Sequence, residues 1–254
     1  MPADLVARLR AAGCVFAEDE ARVLLESARD DTHLEALAAR RIAGEPLEVV
    51  VGWAQFCGLR IAVAPGVFVP RRRSELLAET AAALVSGTGV VVDLCCGTGA
   101  LGAAVAAAAR IAELHAVDVD PAAVACARRN LPGAAVYQGR LYDPLPVRLR
   151  GRVDVIVANA PYVPSEAVAL MPREAREFEH LVALDGGTDG LDVQRAVIAG
   201  ASQWLAPGGS LLVETGAPQA PTTLALMRAA GLAARLITDD DRGSTVAIGV
   251  TSRP

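Results

Sequence analysis

Lysine is absent from this chain. All 24 basic residues of its 254 are arginine, set against 29 acidic ones, for a net charge of −5. Without an ammonium side chain there is no Schiff-base chemistry and no P-loop grip on phosphate. The acidic balance argues against stable, sequence-independent nucleic-acid binding, which needs clustered basic surface. Aromatic residues are scarce too, at 4%, which leaves little material for a base-stacking channel. No apolar run approaches the roughly 18–20 residues of a membrane span. The N-terminus has neither the basic start nor the apolar stretch of a secretory leader, so a cytoplasmic protein with no membrane partner is expected. The five cysteines make an odd count with no metal-type spacing, and Cys95 and Cys96 are adjacent. Reduced thiols fit this pattern better than disulfides, and no metal site is expected. His33, His115 and His180 are the only histidines, and none has a Ser or Cys partner in a recognisable nucleophile motif.

Hydrophobic residues, by contrast, make up 53% of the chain, enough to bury a sizeable core. Leu5, Val6, Leu9, Val23, Leu24, Leu34 and Leu37 recur at helical spacing among charges, so residues 1–45 read as a small helical domain. Residues 46–73 read as a β-hairpin linker, with Val49-Val50-Val51 and Gly58 to Val63 as its β-like runs and Pro65-Gly66 as a turn. Residues 74–254 alternate strand and helix patterns. Continuous apolar runs begin at Val90, Leu114, Ala134, Val153 and Gly209, and Asp120-Pro121 opens a helix with Pro at its tolerated first position. Such alternation implies an α/β domain with a doubly wound, mostly parallel sheet covered on both faces. Ala233–Ile237 and Thr245–Val250 have no clear helix between them and predict an antiparallel hairpin at one edge.

The first apolar strand runs into Asp93-Leu94-Cys95-Cys96-Gly97-Thr98-Gly99-Ala100. Gly97 and Gly99 allow a tight turn and close approach of backbone to a ligand, at the strand end where such sheets bind ligands. Asp118 ends the second strand, where a carboxylate can accept both hydroxyls of a ribose. Asp93 stands against a dinucleotide, whose pyrophosphate it would repel. S-adenosyl-L-methionine carries a ribose, a sulfonium and an ammonium but no phosphate, and it suits these two carboxylates better.

The fourth strand delivers Asn159-Ala160-Pro161-Tyr162. A side-chain amide oxygen and a neighbouring backbone carbonyl can both accept from one NH2 group while an aromatic ring packs on its plane. Such a grip suits a planar amide or an exocyclic amine and aims the nitrogen at an electrophile.

With the loop, Asp118 and this tetrapeptide in order, the chain resembles the HemK-like protein-glutamine N5-methyltransferases, whose motif is Asn-Pro-Pro-Tyr. The likeness extends to Arg41-Ile42-Ala43-Gly44-Glu45-Pro46-Leu47, to Val67-Phe68-Val69-Pro70-Arg71 through Glu75-Leu76-Leu77, and to Leu184-Asp185-Gly186-Gly187-Thr188-Asp189-Gly190-Leu191. The resemblance implies a seven-stranded, Rossmann-like class I methyltransferase sheet with a small N-terminal helical domain. It implies that Cys95, Cys96, Gly97, Thr98, Gly99 and Asp118 hold S-adenosyl-L-methionine, with Leu141 near the adenine, and Asp93 and Asn159 are expected to belong to the cofactor site as well. Asn159, Ala160, Pro161 and Tyr162 would hold the amide of a glutamine in a protein partner, a translation release factor. The N-terminal helices would help recognise that partner. Two other functions share the pattern: N6-adenine methylation of nucleic acid, and cofactor binding without catalysis.

Three places depart from the family pattern. Ala160 replaces the first Pro, which frees φ but keeps the backbone carbonyl, and Pro161 still biases it to extended geometry. Arg71-Arg72-Arg73-Ser74-Glu75 stands where the family has Arg-Pro-x-Thr-Glu, and Gly139-Arg140-Leu141 replaces Gly-Asp and a common aromatic. The arginine cluster reads as a solvated loop or as a docking patch for an acidic partner. The charged stretch Arg173–Glu179 reads as a flap over the site or as a surface loop.

Overall fold

The computed structural model describes residues 2–252; Met1 and residues 253–254, at the outer ends of the first and last expected domains, lie outside the described residues. The chain opens with helices α1 (Pro2–Ala11), α2 (Ala17–Ser27) and α3 (Asp31–Ile42). Asp30 caps α3, its side chain accepting from the His33 N–H. These helices bury Leu5, Leu9, Ala21, Leu24 and Leu37 against one another, which is what the helical spacing of those residues predicts.

The run Val49-Val50-Val51 is a correction. It forms a short helix, α4 (Leu47–Val51), rather than a strand. Gly52, at φ 81°, ends it in the left-handed conformation that closes a helix. Packing on two sides overrides the β preference of valine: Val50 joins the N-terminal core, while Val49 packs with Ala54, Val63 and Val69. The antiparallel hairpin follows as β1 (Trp53–Phe56) and β2 (Leu59–Ala62).

From here strands and helices alternate: α5 (Glu75–Leu84), β3 (Gly89–Leu94), α6 (Ala100–Ala108), β4 (Ile111–Asp118), α7 (Pro121–Asn130), β5 (Ala135–Gln138) and β6 (Val153–Ala158). Then come α8 (Arg173–Phe178), α9 (Asp192–Ala201), β7 (Leu205–Glu214), α10 (Ala220–Ala229), β8 (Ala233–Asp239) and β9 (Ser244–Val250). The sheet has seven strands in the order β5-β4-β3-β6-β7-β9-β8. The first five are parallel to one another, and β9 runs antiparallel to both β7 and β8. The predicted terminal hairpin is therefore present, with its second strand tucked inside. All six residues of β3 are buried because a separate core covers each face. Val91, Val155, Val157 and Leu212 meet α5 and α6; Val92, Leu94, Ile156, Leu211 and Val213 meet α9 and α10.

Strand order reverses between β3 and β6, the crevice where open α/β sheets bind ligands beyond their carboxyl ends. Register sets the ends of the neighbouring strands level: Leu94 pairs with Val117 and Ala158, and Ala158 pairs with Val213. The next residues along each strand, Cys95, Asp118, Asn159 and Glu214, thus emerge together at one edge.

Candidate active site

A cavity of about 350 Å³ opens at that edge. Cys95, Cys96, Gly97, Thr98, Asp118 and Leu141 line it together with Asn159, Ala160, Pro161 and Tyr162. Two expected site residues stand behind it. Gly99 begins α6 at φ 78°, and a Cβ there would come within 2.8 Å of Leu131. Asp93 is fully buried beneath the loop, where Oδ2 accepts from the Gly102 N–H at 2.9 Å and Oδ1 has no partner. Burial pushes the Asp93 carboxyl up to about 7, against the pull of that N–H and with a further push from Asp118.

Asp118 is held from both sides: Oδ2 accepts from the Gly97 N–H at 2.8 Å and Oδ1 from the Asp120 N–H at 2.9 Å. Burial raises its pKa, and these two N–H groups oppose the rise. A buried carboxylate with an orphaned oxygen beneath the loop, Asp93, and a half-buried one on the cavity wall, Asp118, make a site that attracts cationic groups and disfavours phosphate. The donor set fits S-adenosyl-L-methionine. The cysteines of the loop are poor nucleophiles, because burial raises both thiols. Cys95 and Leu141 both adopt positive φ, 54° and 48°, a conformation costly for side chains of their kind and typical of ligand clamps.

At the other end of the cavity, Tyr162 Oη donates to Glu214 Oε1 at 3.2 Å, and Arg73 Nε donates to the same oxygen at 3.1 Å. The Arg73 guanidinium also lies 5.9 Å from the centroid of the Tyr162 ring. Burial, reinforced by Glu214, raises the Tyr162 hydroxyl to about 12, so it remains a protonated donor. Asn159 Nδ2 lies 3.3 Å from Ser74 Oγ.

The glycine-rich run 184–191 forms the backing of Pro161–Val163. Val163 and Gly186 exchange backbone bonds with this segment, Val163 N–H to Leu184 O at 3.1 Å and Gly186 N–H to Val163 O at 2.9 Å. Gln219 Nε2 ties the two together, donating to Tyr162 O at 3.0 Å and Asp189 O at 2.9 Å. A Cβ on Gly190 would sit 2.3 Å from the Tyr162 carbonyl oxygen, and its φ is 77°. That clash is with backbone and cannot be relieved by turning a side chain. Gly190→Ala is expected to cost about 2 kcal/mol of stability and to lower turnover by displacing Tyr162. Thermal unfolding and steady-state kinetics check both effects.

The family model described as Methyltransferase small domain matches residues 58–176. The release factor glutamine methyltransferase of Geobacter sulfurreducens is 37% identical over 84% of this chain and 75% of its own length. The chain belongs to the release factor glutamine methyltransferase family. A second relative, the 4-amino-L-phenylalanine/4-methylamino-L-phenylalanine methyltransferase of Streptomyces pristinaespiralis, is 39% identical over 76% of this chain and 68% of its own length. Among solved structures, the T. thermophilus 16S rRNA N2 G1207 methyltransferase in complex with AdoMet and guanosine shares the fold. Its TM-score is 0.57 at 21% identity, over 78% of this chain and 49% of that one.

Set beside the family pattern, the arginine cluster is neither purely solvated nor a free patch. Arg71 pairs with the buried Glu179, whose Oε1 also accepts from the Val69 N–H at 3.1 Å. Arg73 reaches Glu214, as above, and Arg72 is exposed. The stretch Arg173–Glu179 is helix α8 followed by that buried glutamate, so it straps the segment before the cavity to the segment after it. Met171 and Leu184, on either side of the strap, both line the cavity. Arg41 extends the connection to the N-terminal helices, bonding Glu20 at 2.6 Å and Glu174 of α8 at 2.7 Å. Ser74 and Glu214 are residues of this region that sequence reasoning left without a role; Arg73 and Glu179 were read only as parts of the arginine cluster and of the stretch Arg173–Glu179, without their partners.

Proposed function

We propose that this protein methylates the side-chain amide nitrogen of a glutamine in a peptide chain release factor, using S-adenosyl-L-methionine. The observation that carries the proposal is one cavity lined at one end by the Cys95–Thr98 loop and Asp118, and at the other by Asn159 to Tyr162. S-adenosyl-L-methionine supplies, when bound, an electrophilic methyl group on a sulfonium.

An amide nitrogen is a weak nucleophile because its lone pair is delocalised into the carbonyl. Asn159 Oδ1 and the Ala160 carbonyl accept its two N–H bonds, aim it, and stabilise the positive charge it gains in the transition state. Preorganised dipoles of this kind are worth about 2.7–4 kcal/mol each, and fixed orientation adds to them. Tyr162, held by Glu214, walls the amide plane. The methylated nitrogen then sheds a proton to water, and no strong base is required. The N-terminal helices, with their own small core, are assigned to partner recognition.

Calorimetry with S-adenosyl-L-methionine, followed by labelled methyl transfer to purified release factor, tests this directly. Mass spectrometry should find one added methyl on a glutamine. The second relative makes 4-amino-L-phenylalanine, an aromatic amine with the same NH2 geometry, the natural competing acceptor in that assay. Label appearing in RNA or DNA rather than in protein would overturn the proposal.

Cofactor binding should also move a proton. Burial pushes the Asp93 carboxyl up to about 7, and a bound cation favours its ionised form. A raised folded pKa means that the stability contributed by protonated Asp93 is present at acid pH and is lost as pH rises through about 7. Affinity for the cofactor therefore strengthens from pH 6 to pH 8, with proton release that Asp93→Asn lacks. Calorimetry in buffers of different ionisation enthalpy measures the difference between the two proteins; equal release from both would remove Asp93 from this role.

A further inference from the structure

We propose that Ser74 is a positioning residue of the acceptor grip, holding the Asn159 amide so that its oxygen faces the cavity. The inference rests on the reading of Asn159 given above and extends it to a residue outside the Asn-Ala-Pro-Tyr segment.

Serine just before a helix ordinarily spends its hydroxyl on capping, accepting from the second or third N–H of the helix. Ser74 stands before α5 but has helical backbone angles, φ −73° and ψ −6°, because the turn Arg72–Ser74 runs straight into the helix; its hydroxyl makes no capping bond and is free for another partner. The next residue, Glu75, is turned away from this hydroxyl, its Oε1 accepting from the Cys57 N–H at 2.8 Å. The Ser74 side chain is buried, at 3% exposure, and lines the cavity. Its one polar neighbour across the site is Asn159 Nδ2, at 3.3 Å and 85 residues along the chain. A buried hydroxyl with no capping bond, turned to the amide, is accounted for by that amide.

The chemistry requires a particular orientation of Asn159. If Oδ1 is to accept from an incoming NH2 group, Nδ2 must lie on the far edge of the amide, where it needs an acceptor of its own. Ser74 Oγ is that acceptor. With alanine at position 74, the productive orientation would leave Nδ2 buried without a partner, and the amide would turn its NH2 toward the cavity. Donor would then face donor. The hydroxyl also explains which change is tolerable at this turn: Arg72 replaces the pattern's proline, whereas Ser74 in place of threonine keeps the hydroxyl that this role uses.

Steady-state kinetics on Ser74→Ala, Ser74→Thr, Asn159→Ala and the Ser74→Ala/Asn159→Ala double variant test the proposal. Ser74→Ala is expected to lower kcat about tenfold, a typical cost of one unsatisfied buried donor, while the cofactor Kd stays unchanged. Ser74→Thr restores most of the loss. In the Asn159→Ala background, Ser74→Ala changes turnover by less than about twofold, because the two act as a unit. An NMR readout works without turnover: the Asn159 side-chain NH2 pair, assigned by its disappearance in Asn159→Ala, shifts and exchanges faster in Ser74→Ala but not in Ser74→Thr. An unshifted NH2 pair, or an equal loss of activity in both backgrounds, overturns the role of Ser74. Full turnover in Asn159→Ala overturns the grip itself, so the two failures are distinct.

Discussion

Asn159→Ala is expected to lower turnover about a hundredfold or more while leaving cofactor affinity within about threefold. The magnitude follows from the loss of one preorganised dipole aimed at charge that develops only in the transition state. An interaction made only there lowers kcat and kcat/KM together. Asn159 lines the acceptor end of the cavity, and its residue neighbours on adjacent strands set it level with Cys95 and Glu214. Removing its side chain leaves the 95–99 loop and Asp118 in place, which is why cofactor binding should survive. Asn159→Asp separates charge from shape: a carboxylate still accepts the N–H bond that Asn159 Oδ1 takes but has no NH2 to offer Ser74. Single-turnover transfer with saturating cofactor measures all three proteins on one scale. Undiminished turnover in Asn159→Ala would remove this residue from the chemistry.

The parts of this site that depend on local pattern were readable from the sequence, and the parts that depend on distant pairing were not. Strand–helix alternation, the glycines of the 97–99 turn and the Asn-Ala-Pro-Tyr segment each declare themselves within about ten residues, where periodicity and turn chemistry act. Val49–Val51 misled because valine preference is a weak prior, and two separate cores claim its residues, Val49 on one side and Val50 with Val51 on the other. The arginine cluster was opaque for a different reason. Arg71 finds Glu179 across 108 residues and Arg73 finds Glu214 across 141, and no local rule joins positions so far apart. Glu214 itself reads as the polar end of an apolar strand. Its buried carboxylate gains meaning only from the pair that holds it, since a buried charge must be matched. The Asp-Gly-Gly run stood out as a family mark with no mechanism; the structure supplies one in the approach of Gly186 and Gly190 to the backbone of Pro161 and Tyr162. Asp93, expected at the cofactor site, lies under the loop rather than on the cavity wall, where it accepts from the Gly102 N–H.

Asp118→Ala should give the opposite kinetic signature to Asn159→Ala. Cofactor Kd is expected to weaken about 100-fold, with kcat at saturating cofactor reduced far less. A carboxylate that accepts from two ribose hydroxyls contributes about 1.5–3 kcal/mol per bond, and the low end for two such bonds, about 3 kcal/mol, corresponds to roughly this factor in affinity. The geometry adds a second cost. Asp118 already orders the loop by accepting from Gly97 and starts α7 by accepting from Asp120, at 2.8 and 2.9 Å, so its removal loosens the Gly97 turn as well as the ribose contact. Asp118→Asn discriminates between these effects. The amide keeps one oxygen for the backbone but loses the charge, so its Kd should weaken by about tenfold, between wild type and alanine. Burial raises the Asp118 pKa, so the affinity lost in Asp118→Asn should shrink as pH falls and the wild-type carboxylate itself protonates. Titration calorimetry at two pH values reads all of this in the absence of an acceptor. A cofactor Kd that is unchanged in Asp118→Ala would take the ribose away from β4, and with it the assignment of this end of the cavity to the cofactor.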